Sequence, residues 1–157
     1  MKLLTAIFSV LLLVTSASAG SVTPRDGWAV HDTGIAYDAL IERLKNAVKA
    51  NGMFVVTQAG PTEAAKRRGI EIPGNRVIGV YNNKFAVRAI RLSVPAMIEA
   101  PIRFYVTDDG DGTATLSYKT PSHVFGPYFA EAGDDLVALA AELDEIFARI
   151  ASDAVAD

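Results

Sequence analysis

Apolar residues at Tyr37, Leu40, Ile41, Leu44, Ala47 and Val48 recur at helical spacing, while Glu42, Arg43, Lys45 and Lys49 fall on the other side. The period predicts a helix over 36–50, stopped by Asn51-Gly52, residues that tolerate positive φ. Ahead of it, Trp28 to Asp32 alternates as a strand does, with Trp28 and Val30 on one face and Ala29 and His31 on the other. Behind it, Met53 to Thr57 reads as a second strand, and Pro61 opens a short helix to about Arg68, which Gly69 stops. The β-branched run Arg76 to Tyr81 predicts a central strand. It leads into Asn82-Asn83, either of which caps a helix reaching Leu92. Pro95 and Pro101 bracket a connector.

Ile102 to Thr107 and Thr113 to Lys119 flank Asp108-Asp109-Gly110-Asp111-Gly112, whose residues suit a hairpin turn. An irregular stretch is expected after Pro121. A final helix over 134–150 presents Leu136, Leu139, Ala140, Leu143, Ile146, Phe147 and Ile150 on one stripe, with Asp134 and Asp135 suited to its positive end. The tail over 151–157 is expected to fray. These elements predict an α+β fold, a two-layer arrangement in which a mixed β-sheet carries its helices on one face.

The first residues follow a different logic. Lys2 precedes an apolar run, Leu3 to Val14, broken only by Thr5 and Ser9, and Ala17-Ser18-Ala19 offers small side chains at both positions that signal peptidase reads. The run is too short for a spanning helix, which needs about 20 apolar residues. The expectation is a signal peptide over 1–19 cleaved after Ala19, a periplasmic or secreted product, and one α+β domain over 20–150. With no cysteine, stability rests on packing, and acylation at a lipobox, thiolate metal sites and thiol catalysis are excluded. A net charge of −3 argues against a nucleic-acid partner, and no stable membrane insertion is expected once the leader is gone.

Three ordered segments then carry a resemblance. Asn51-Gly52-Met53-Phe54-Val55-Val56 leads from a helix into a strand. Ala64-Ala65-Lys66-Arg67-Arg68-Gly69-Ile70 precedes the strand Val77-Ile78-Gly79-Val80-Tyr81-Asn82. Ala100-Pro101-Ile102-Arg103-Phe104-Tyr105-Val106 and its Asp-Gly turn lead to Leu116-Ser117-Tyr118-Lys119-Thr120-Pro121. Together they resemble the family known as domain of unknown function 302. The resemblance implies a compact two-layer α/β domain, often dimeric, with no established reaction and no catalytic residues to carry over. One departure stands out: the family's Asn-Pro after the central strand is Asn82-Asn83 here, which leaves a backbone N–H that proline lacks.

Charge is polarised along the chain. Lys66, Arg67, Arg68, Arg76, Lys84, Arg88, Arg91 and Arg103 face only Glu71 and Glu99 over 66–103, whereas over 104–157 eleven acids face only Lys119 and Arg149. One reading is a small-anion site where the central strand meets the next helix, formed by Asn82, Asn83, Lys84 and Arg88, with His123 as a further ligand-binding residue. The other is that the basic segment packs beside the acidic last helix or a twofold copy of it. The Asp-rich turn lacks the alternating oxygen ligands and terminal glutamate of a calcium loop and reads as a turn.

His31 and His123 are the two histidine candidates for general acid–base chemistry, 92 positions apart, without metal-site spacing. No Gly-x-Ser-x-Gly or phosphate-cradling loop occurs. The expectation is therefore a binding or accessory domain acting as a homodimer, with no cofactor and no metal. The competing class is an enzyme using His123 as acid–base on a small anion.

Overall fold

Alternation and helical period become five strands and six helices in the computed structural model, which describes residues 22–156. Strand β1 is Trp28–Asp32 and helix α1 Tyr37–Ala50, whose buried residues Leu40, Ile41, Leu44, Ala47 and Val48 are those of the predicted stripe. Strand β2 (Phe54–Ala59) and helix α2 (Thr62–Lys66) follow, then β3 (Asn75–Tyr81) and α3 (Asn83–Leu92). A 3-10 segment, Pro95–Glu99, fills the connector before β4 (Ile102–Asp108) and β5 (Ala114–Lys119).

The sheet has the order β1-β5-β4-β3-β2, and every neighbouring pair is antiparallel. The α+β class holds; the mixed sheet does not. Strand polarity depends on which strands become neighbours, and β1 joins the far side of β5 instead of pairing with β2. That choice leaves no parallel pair.

After Pro121 the irregular stretch is in fact helical: α4 (Pro121–Phe125), a 3-10 turn at Gly126–Tyr128 and α5 (Phe129–Ala132). Thr120 caps α4 by accepting from the His123 N–H, and Pro121 supplies a preset first turn. Helix α6 runs Asp134–Val155, past the predicted fraying point. Ala151 and Ala154 continue its stripe at 0 % exposure, so packing holds the last turn in place. The proposed leader lies outside the described residues.

Helices α1 and α6 cover one face of the sheet. Strand residues Ile78, Val80, Ile102, Phe104, Val106, Leu116 and Tyr118 point into that layer. Phe104 stacks on Phe147 with ring centroids 4.8 Å apart, and Tyr118 tilts onto both. Burying each such ring contributes about 2–3 kcal/mol. The opposite face carries Trp28, Val30, Val77, Gly79, Arg103, Tyr105, Ser117 and Lys119, and among the described residues no helix packs over its middle. That uncovered face positions the candidate site.

Candidate functional site

Strand alternation puts Arg103 and Tyr105 on the uncovered face because Ile102, Phe104 and Val106 take the core side. Phe104 pairs with Tyr118, so Arg103 and Lys119, each on the outward side of that pair, are cross-strand neighbours. Trp28 pairs with Lys119 on the same face. Where β5 ends, α4 rises as a wall bearing His123 and Val124, followed by Pro127. The result is a cleft of about 540 Å³ whose lining includes Trp28, Val77, Arg103, Tyr105, Lys119 and His123. A pocket of that volume is in the range used for small molecules.

Electrostatics single out its basic side. Lys119 Nζ lies 5.7 Å and Arg25 Cζ 5.3 Å from the Trp28 ring centroid, so two cations are within cation–π reach of the indole. Among the described residues, neither Arg103 nor Lys119 has a carboxylate within salt-bridge distance. Glu99 also lines the cleft, but its Oε1 accepts from the Tyr128 hydroxyl at 2.8 Å, which pushes the Tyr128 pKa up. Two like charges on neighbouring strands repel each other, and an anion between them relieves that repulsion. Tyr105 is held on the floor by Asn75, whose amide donates to the phenol oxygen.

His123 is exposed at the rim. Its ring fills the space above Gly27, where an added Cβ would come within 2.0 Å of Nδ1; Gly27 also has φ +74°, which favours glycine. The nearby Asp144 binds Ser122, through the backbone N–H at 2.8 Å and the hydroxyl, and among the described residues no carboxylate orients the His123 ring. His31 is elsewhere: it pairs with Leu116 on the helix-covered face, stacked 6.3 Å from Tyr118. The two histidines therefore serve different faces. Among the described residues no group of three or more His, Asp or Glu is arranged to hold a metal ion.

Of the residues expected at the start of α3, Asn82 and Arg88 are already engaged. The Asn82 side chain accepts from the Lys84 N–H at 2.8 Å and donates to Gly52 O at 2.8 Å, as a helix cap. Asn83 is the first helical residue and is exposed, as is Lys84. Arg88 pairs with Glu142 of α6 at 2.7 Å, which is the pairing alternative stated for the basic segment. His123 lies on α4, away from this group, in the cleft. Trp28, Arg103, Tyr105 and Lys119 escaped the sequence reading. Their alternation against the core residues was a usable signal, but the register that brings three strands together was not visible in it.

Among the described residues no helix is long and apolar enough to cross a membrane. A family model described as domain of unknown function DUF302 matches residues 30–153. No curated protein matches the chain. Among solved structures, the crystal structure of an uncharacterized conserved DUF302 protein from Bacillus stearothermophilus aligns with a TM-score of 0.69 and 21% sequence identity. The alignment covers 82% of this chain and 96% of that chain. At that identity the likeness is one of fold.

Proposed function

The chain belongs to the DUF302 family, and from that premise we propose that it is an exported, non-enzymatic binding module, homodimeric, that takes a small anion with an apolar body in the open-face cleft. The observation that carries the reading is the adjacent pair Arg103 and Lys119, without carboxylate partners among the described residues, beside the Trp28 indole. The cations supply attraction and orientation; Trp28, Tyr105 and Val77 supply flat apolar contact. Export rests on the leader pattern of Lys2, the Leu3 to Val14 run and Ala17-Ser18-Ala19.

Trp28 is the single tryptophan of the chain, so its fluorescence reports occupancy directly. Titration with salicylate should quench it, and inorganic phosphate, lacking an apolar body, should bind more weakly. Arg103→Ala and Lys119→Ala should each weaken salicylate binding about 10-fold. A double variant that keeps wild-type salicylate affinity overturns this reading.

One observation favours the enzyme alternative: His123 lines the same cleft. Turnover of a bound anion that disappears in His123→Ala, while binding persists, would establish that role.

A further inference from the structure

The open-face cleft differs in chemistry at its two ends. Arg103 lies near the start of β4 and Lys119 closes β5, so the cation pair sits at the α4 end. Asn75, which also lines the cleft, pairs with Thr107, further along β4. At a rise of about 3.4 Å per residue, the rows of Arg103 and Thr107 are about 14 Å apart along the strand. Tyr105 stands between them, opposite Val77. Its phenol oxygen accepts from the Asn75 amide, so the ring leans away from Arg103 and carries its hydroxyl to the far end. That bond leaves the phenol O–H as a donor, and among the described residues the Asn75 Oδ1 accepts from no group. A donor beside an acceptor matches one hydroxyl, which does both.

Charge reverses along the same face. Thr115 pairs with Thr107 on the side away from Asn75. Its hydroxyl lies 2.8 Å from Asp109 Oδ2 and 3.3 Å from Asp32 Oδ1. These carboxylates disfavour a second negative charge at the far end. We infer that the cleft takes an elongated monoacid with a neutral hydroxyl at the end remote from its acid group. The carboxylate meets Arg103 and Lys119, a flat apolar body lies along Trp28 and Val77, and Tyr105 with Asn75 reads the hydroxyl. The inference rests on the anion reading above and adds the ligand class and the residues that select it. A ring with a short spacer to its carboxylate and a 4-hydroxyl, as in 4-hydroxycinnamate, has this order of groups. In salicylate the two groups are adjacent, and the hydroxyl cannot reach Tyr105 while the acid stays on the cations.

Isothermal titration calorimetry of the purified protein compares 4-hydroxycinnamate, cinnamate and 4-carboxycinnamate. Water solvates Tyr105 and Asn75 when no hydroxyl is present, so 4-hydroxycinnamate should bind only about 5-fold tighter than cinnamate, the gain of a neutral hydrogen bond. The diacid should bind weakest. Tyr105→Phe removes one hydroxyl and keeps the ring. It should bring 4-hydroxycinnamate close to the affinity of cinnamate and leave cinnamate unchanged, which also shows that the variant's cleft is intact. Arg103→Ala should weaken all three. Equal wild-type affinities for 4-hydroxycinnamate and cinnamate, or a preference that survives Tyr105→Phe, overturn this ligand class; cinnamate binding that Arg103→Ala weakens then leaves the anion reading standing. Tightest binding by 4-carboxycinnamate overturns it in favour of a diacid. Failure of all three, and of salicylate, to bind removes the anion reading and this inference together.

Discussion

Asp109 accepts from the Thr115 hydroxyl through Oδ2 at 2.8 Å, while its Oδ1 is buried without a partner. Burial pushes its pKa up; the Thr115 bond opposes this, and the neighbouring Asp111, Asp32 and Asp108 add to the rise. A carboxyl raised in the folded state stabilises the fold fully only below its unfolded value, about 3.9, and that contribution is lost as pH climbs through the folded value. At neutral pH the charged form is therefore a strain on the turn. Asp109→Asn should raise Tm at pH 7 by roughly 1 °C, a small effect because the site is partly solvated. The gain should vanish below about pH 4, where Asp109 is itself neutral. Equal gains at pH 3 and pH 7 in thermal melts would refute this account. Tyr118 follows the same sign at the other end of the scale. Burial raises its pKa, with Asp144 adding to the rise, so its share of stability is lost as pH rises above about 10.

At the scale of elements, the last turn of α6 and the whole of α4 show how packing extends local preference. Ala151 and Ala154 are fully buried, Asn51 Nδ2 donates to Asp153 at 2.7 Å, and Arg43 donates to Ala156 O at 2.7 Å. Alanine has high helix propensity, but the tail lacks the large apolar residues that advertise a buried face. Its burial depends on α1 lying alongside. Removing residues 151–157 should lower stability by about 2 kcal/mol from lost methyl burial and hydrogen bonds. An unchanged urea midpoint would show that the turn contributes nothing. Helix α4 was legible in a narrower sense: Thr120-Pro121 is an N-cap followed by a first-turn proline. The helix is so short that periodicity cannot register it. The stripes of α1 and α6 were plain because several turns repeat the same message, while the cap of α3 was narrowed to Asn82 or Asn83 and the structure selects Asn82.

At the scale of the molecule, the helices among the described residues cover one face of the sheet and leave the cleft face open, while charge is divided between a basic middle and an acidic end. The export proposal belongs at this scale. Intact mass of protein recovered from the producing cell's envelope or medium should correspond to a chain starting at Gly20. Recovery only with Met1 retained, in the cell interior, would contradict it. By itself the sequence determined the strands, the longer helices, the α+β class and the family, because periodicity, caps and turn residues act over a few neighbouring positions. The direction in which strands pair, the meeting of Trp28, Arg103 and Lys119, and the engagement of Arg88 by Glu142 were decided by tertiary structure alone. Each depends on which distant segments become neighbours. That follows from burying all the apolar faces at once, a condition no local window of sequence contains.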